Sequence, residues 1–178
     1  MNTGQMMITI GAIVLLTLVI LRVSSNLLAT DNVMGNSKVG LMATSLATSI
    51  MEEAMSKKFD ENTTSGNVTS PSNLTTVANL GRDAGEEYPF FDDFDDFNFF
   101  RSNPRIDSID IADNKYLVFK TFCRVDYINE ATPLINSASP TWHKRLSIKI
   151  TGDAMRDETI GRQDTLRMST IFSYWYFR

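Results

Sequence analysis

The pattern of apolar and polar positions changes period along this chain. From Met6 to Leu21 the run MMITIGAIVLLTLVIL carries no charge. As a helix rising about 1.5 Å per residue it spans roughly 24 Å, close to the apolar thickness of a bilayer. Val23, Leu27 and Leu28 extend it. Past Arg22 the apolar positions thin to Leu27, Met34, Leu41, Leu46, Ile50 and Ala54. Asp31, Lys38, Glu52, Glu53, Lys57 and Lys58 fall mostly between them, as on an amphipathic helix. No proline precedes Pro71, so a single rod from about Gln5 to Lys58 is permitted. Gly35 and Gly40 weaken it by about 1 kcal/mol each. The expected division is 5–28 as a membrane or assembly core and 29–58 as a cover for a head, with Leu41, Leu46 and Ile50 on the covering face.

From Ile106 onward the period becomes two. Segment 116–128 places Leu117, Phe119, Thr121, Cys123, Val125 and Tyr127 on one face and Lys120, Arg124 and Asp126 on the other. Segment 144–150 turns Leu146, Ile148 and Ile150 inward and Arg145, Ser147 and Lys149 outward. In 165–177, Leu166, Met168, Thr170, Phe172, Tyr174 and Tyr176 alternate with Arg167, Ser169, Ile171, Ser173 and Trp175. A weaker strand covers 105–112, and 129–142 and 151–164 read as loops joining antiparallel neighbours. The fold class is α+β: a long N-terminal helix, apolar then amphipathic, packed on a C-terminal antiparallel sheet over 105–178.

Between helix and sheet, 59–104 has two parts. The first is dense in Ser, Thr and Asn, with Gly66 and Pro71, and reads as a surface loop. It contains three N-x-S/T triplets, at Asn62, Asn67 and Asn73, which are candidate glycan acceptors. The second, EEYPFFDDFDDFNFFRSNP, interleaves Asp92, Asp93, Asp95 and Asp96 with Phe90, Phe91, Phe94, Phe97, Phe99 and Phe100. Rings need burial and carboxylates need water or partners, so an irregular segment pinned to the head is expected rather than a helix. The four aspartates are candidate Ca²⁺ ligands, although their spacing is not that of an EF-hand. An acidic rim over an aromatic anchor, with Arg82, Arg101 or Arg105 nearby, is the favoured reading.

The start MNTG-QMMITIGAIVLLTLVIL resembles the class III leader and helix of type IV pilins and secretion-system pseudopilins. The run Asp92 to Phe97 is similar to a DDxDDY-type segment of minor pilins and pseudopilins. The resemblance implies cleavage after Gly4, with Gln5 as the first mature residue and 1–4 as leader. It also implies a filament core formed by Met6, Met7, Ile8, Thr9, Ile10, Ile13, Val14, Leu15, Leu16, Leu18, Val19, Ile20 and Leu21. The acidic fifth mature residue of that family falls here on Thr9, and the leader carries no Lys or Arg.

At 178 residues there is room for one head and one extended element. With 17 basic and 21 acidic residues, a net charge of -4 and no local Lys/Arg run, a nucleic-acid partner is not expected. Cys123 is the only cysteine, so no intrachain disulfide forms, and it reads as a small buried hydrophobe. His143 is the only histidine, which leaves nucleophile–histidine and multi-histidine metal sites short of parts. No enzyme is expected and no cofactor beyond the calcium candidate.

The expected function is that of a structural subunit of an extracellular, type IV pilus-like filament. It would be built as a homo-oligomer from a single-pass inner-membrane precursor, with membrane lipid and an assembly machinery as partners. A minor pilin or type II secretion pseudopilin at a filament tip is the first alternative, and a membrane-anchored ligand-binding or enzyme domain the second.

Overall fold

The structure, a computed structural model, describes residues 3–112, 115–157 and 162–174. Contacts divide the chain into two units, Met1–Val39 and Gly40–Arg178. Helix α1, Thr3–Met55, contributes to both. It begins two residues before the expected Gln5 and ends three before Lys58, where Ser56 and Lys57 close its last turn through their N–H groups.

In the first unit every described side chain from Thr3 to Lys38 is exposed. The hydroxyls of Thr9, Thr17, Ser25, Thr30 and Ser37 each donate to a helix carbonyl three or four residues back. These five hydroxyls are thereby satisfied within the helix itself.

In the second unit the buried stripe of α1 is Ala43, Ala47, Ile50 and Ala54. Leu41 is 72% exposed and Leu46 only half-buried, which corrects the expected covering face. The seam runs at spacings of four and three and is alanine at every position but Ile50, and alanine lets a helix backbone approach its neighbours closely. The expected cover 29–58 likewise narrows, because burial starts only at Val39.

The sheet contains β1 (Arg105–Ala112), β2 (Lys115–Asn129), β3 (Thr132–Asn136), β4 (His143–Gly152) and β7 (Leu166–Ser173), ordered β1-β2-β4-β7, with β3 paired to the end of β2. All pairings are antiparallel. Strands β5 (Arg156–Asp157) and β6 (Arg162–Gln163) form a separate two-residue ladder. The stretch 129–142, expected as loop, therefore holds a hairpin strand, and 151–164 holds a 3₁₀ turn, Asp153–Met155, and that ladder. The expected strand 165–177 is observed as β7, ending at Ser173, and Trp175, Tyr176 and Phe177 lie outside the described residues.

The expected inward faces are observed where the residues are described. Phe119, Thr121, Cys123, Val125 and Tyr127 are buried on β2, and Leu146, Ile148 and Ile150 on β4. Gly152 ends β4 at a close crossing: a Cβ there would lie 2.8 Å from the Val118 carbonyl oxygen.

The acidic-aromatic segment becomes a 3₁₀ helix over Asp95–Arg101. Phe91, Phe94, Phe97 and Phe100 are buried, and their interval of three matches the three residues per turn of such a helix. Phe90 falls off that interval and is 82% exposed. Asn98 ties the segment to the free edge of β2 by accepting from Val125 N–H, and donates to the Leu80 carbonyl.

Candidate functional site

Strand alternation sends Lys144 inward, on the same face as Leu146 and Ile148. It lies opposite Tyr127 on β2 and Phe172 on β7, and its side chain is completely excluded from solvent. The ammonium donates to the Phe59 carbonyl at 2.8 Å, to Asp60 Oδ2 at 2.8 Å and to Asp95 Oδ1 at 2.5 Å. All three of its N–H groups are thus used. The rings of Phe59 and Tyr127 lie 4.7 and 5.1 Å from Nζ and complete the cage.

Asp60 is equally saturated. Its carboxylate accepts from the N–H groups of Asn62 and Thr75, the Thr75 hydroxyl, the Tyr127 hydroxyl and Lys144. Burial opposes its ionisation, but the Lys144 charge and these hydrogen bonds outweigh burial and hold its pKa below the ordinary aspartate value. Asp60 therefore joins the segment after α1, the loop at Thr75 and two central strands at one charge.

The neighbouring carboxyls behave oppositely. Asp93, Asp95 and Asp96 are buried. Burial, reinforced by the charges of Asp95 and Asp96, pushes Asp93 up to about 9. Asp96 is pushed up to about 7, first by burial and, among the charges, by Glu86. Asp95 is also raised by burial, against the pull of Lys144, and shares a hydrogen bond with Asp93. One ammonium cannot neutralise Asp60, Asp93 and Asp95 together, so a proton stays on the Asp93–Asp95 pair. Asp93 Oδ1 also caps the 3₁₀ helix by accepting from the N–H groups of Asp95 and Asp96.

This arrangement overturns the acidic-rim reading. Three of the four aspartates are interior, and the cation bonded to Asp95 is Lys144 rather than an arginine. Arg82 stacks on Phe99 at 4.3 Å. Arg105 bridges to Asp107 and Glu53, and Arg101 is exposed.

The four aspartates also fail to converge as calcium ligands. Asp93 and Asp95 turn to Lys144 and the 3₁₀ helix, Asp96 accepts from the N–H groups of Asp92 and Asp93, and Asp92 is exposed. Among the described residues, the carboxylate grouping that could face an ion is Glu86, Asp92 and Asp96, with oxygens within 4.8 Å of one another. That offers three ligands where Ca²⁺ takes six to eight oxygens, and one of the three carboxylates is already occupied by backbone donors. Asp92 and Asp96 of the four candidate aspartates thus share that grouping with Glu86, and Asp93 and Asp95 lie outside it.

The other candidates are placed as follows. Asn62, Asn67 and Asn73 are all exposed, on the loop after α1. Cys123 is buried, which pushes its thiol up to about 12. His143 Nδ1 lies 2.7 Å from the Ser173 hydroxyl. Gly4 and Gln5 lie in the first turns of α1, while Met1 and Asn2 are outside the described residues. Met6 to Leu21 are all exposed, on a helix long and apolar enough to cross a membrane.

Lys144 was not singled out by the sequence reading. The signal was a lysine on the inward phase of an alternating strand, in a chain with acidic residues flanked by buried rings. Comparison with protein-family models, curated proteins and solved structures gives no match.

Proposed function

We propose that this chain is a pilin-like structural subunit of a type IV pilus-like extracellular filament, in which apolar N-terminal helices pack together and β-rich heads face solvent. The observation that carries this reading is the contrast within α1. From Gly40 onward the helix carries a buried alanine seam belonging to a packed head. From Met6 to Leu21 it presents aliphatic side chains on every side with none buried. A surface of that extent is stable only in lipid or against other copies. The continuation of one helix from the uncovered stretch into the head supports copies over lipid alone, because a simple tether needs no such continuity.

The closed Lys144 cluster supports a structural role for the head. Its ammonium has no N–H left for a substrate, and it ties together segments that a filament must keep folded.

Thr9 supports the minor-subunit variant of the same reading. Its hydroxyl donates to Met6 O within the helix, so the position offers no carboxylate for a neighbour's N-terminal amine, and a tip subunit has no subunit ahead of it to meet. Electron microscopy of sheared surface material, with the protein quantified in that fraction, tests the proposal. A filament built of this chain supports the main reading. A trace amount on filaments built of another subunit supports the tip. Retention wholly in the membrane supports a tethered domain.

A further inference from the structure

The outward face of the sheet gathers cations that lie far apart in sequence. Arg101, Arg124, Arg145, Lys149 and Arg167 line one groove of about 510 Å³. Among the described residues Asp126 is the single acid lining it, and it is already paired with Arg124 at 2.8 Å. Arg145 donates to the Pro133 carbonyl and to Asn136, both uncharged, and its Nε is buried with no partner. Lys149 lies over the Phe122 ring at 4.6 Å. Arg101, Lys149 and Arg167 make no ion pair among the described residues.

The register makes this arrangement costly. Lys149 and Arg167 are directly opposite each other on β4 and β7, a placement that destabilises a sheet unless an anion lies between the two charges. The Phe122 ring offsets part of this for Lys149, and with no carboxylate paired to Lys149 or Arg167 among the described residues the remainder points to a partner.

The same head carries the complementary surface. Glu61, Asp83, Glu86 and Asp92 lie close enough to act on one another. Burial first, then the charges of Asp92, Asp83 and Glu86, raise the Glu61 carboxyl above its usual value. Burial and then Glu86 do the same to Asp92. Glu61 and Asp83 also line a hollow of about 290 Å³. Asp83 and Asp92 are exposed, and Glu61 and Glu86 half-exposed. Like charges outnumber opposite ones in each patch, with Asp126 among the cations and Lys57 acting on Asp92, and one contact relieves both.

We propose that the cationic outer sheet face of one copy docks against the Glu61–Asp83–Glu86–Asp92 patch of the next copy. Two different surfaces meet, so the contact is heterologous, the kind that propagates into an open filament wherever its rotation does not close into a ring. The inference rests on the filament reading and adds a head-to-head contact to the helical core.

The test uses the full chain, released by detergent from normal and ¹⁵N-labelled cells, mixed one to one and reassembled before crosslinking. A zero-length carbodiimide joins Lys149 to any carboxylate that it pairs with, and mass spectrometry separates links between copies from links within one. Mixed-isotope links from Lys149 to Asp83, Glu86 or Asp92 are expected. The pair Arg101→Glu with Arg167→Glu keeps the reporter amine and should lower their yield at least tenfold, with an unfolding midpoint no lower than that of wild type because an acid then faces Lys149. Adding Asp83→Arg should restore at least half.

Absence of such links, or a yield indifferent to the reversals, overturns the inference. So does polyphosphate retained by the wild type and lost in the reversal variant without links between copies, which would assign the face to a polyanion. Filaments without these links leave the core reading standing and remove this contact. Links without filaments do the reverse.

Discussion

Lys144 Nζ and Asp60 Oδ2 meet at 2.8 Å with both side chains wholly excluded from solvent. Their positions are 84 residues apart in sequence, and the pair joins the segment after the long helix to the middle of the sheet. A buried pair of this kind gains little over an apolar replacement of both partners, yet removal of one partner is costly because the other stays charged in a dry interior.

Lys144→Met should therefore destabilise the head by about 3–5 kcal/mol, since it strands Asp60 and Asp95 together. Adding Asp60→Asn and Asp95→Asn to that variant should recover much of the loss. Denaturant unfolding of wild type, Lys144→Met, the Asp60→Asn/Asp95→Asn pair and the combined variant, followed by near-ultraviolet circular dichroism, measures this non-additivity. Additive losses would mean that Lys144 acts through packing alone.

Asp93 and Asp96 set the direction of the pH dependence. Their pKa values in the fold, about 9 and about 7, lie above the unfolded value of about 3.9. Between those limits the folded state holds more protons, so their contribution to stability is full in acid and is lost as pH rises through the folded values. Asp60 acts the other way. Its depressed pKa contributes stability above the ordinary aspartate value, and this is lost as pH falls through its folded pKa. Stability should thus decline from about pH 5 toward pH 9, with a limiting slope of about 1.4 kcal/mol per pH unit for each proton.

Asp93→Asn keeps an acceptor for the N–H groups of Asp95 and Asp96 and a donor for the Asp95 carboxylate, so it should flatten that decline and stabilise the head at pH 9. Melting curves of wild type and variant across this range measure the difference. A decline as steep in the Asn variant would place the retained proton elsewhere.

On α1 the cost of substitution should follow the alanine seam and not the leucines. Ala47→Leu overfills a completely buried position and should cost about 1–3 kcal/mol. Leu41→Asp, at a position exposed in the head, should leave the unfolding midpoint within about 0.5 kcal/mol of wild type. Chemical unfolding of the two variants gives the comparison, and the opposite ranking would restore Leu41 to the covering face.

The strands that alternate strictly were legible, because alternation over β2 and β4 directly encodes which face is buried. The long helix was legible from an unbroken proline-free run. Its packing face was not, since Leu41 and Leu46 outweigh alanine on any hydrophobicity scale and nothing local says that close approach matters more than apolar area. β3 was missed because all five of its residues are exposed, leaving no burial signal to read. The buried aspartates were misread for a related reason: their cation lies on β4, with Asp95 and Lys144 separated by 49 residues. The interval of three in Phe91, Phe94, Phe97 and Phe100 is visible in the sequence, but the expectation of an irregular segment rather than a helix is corrected by the 3₁₀ helix over Asp95–Arg101, which carries Asp95 and Asp96 inward.

The central claim is that residues 6–21 form the core of a filament while the head folds separately around its own alanine seam and buried lysine. Ile13 is exposed in the isolated chain, so Ile13→Asp costs the head nothing, whereas an apolar bundle of helices offers its carboxylate no partner. The deciding measurement is electron microscopy of sheared surface material from cells producing wild type or Ile13→Asp at equal levels, with head unfolding followed in parallel. The account predicts filaments from the wild type, none from the variant, and the same unfolding midpoint for both. Normal filaments from Ile13→Asp would contradict it.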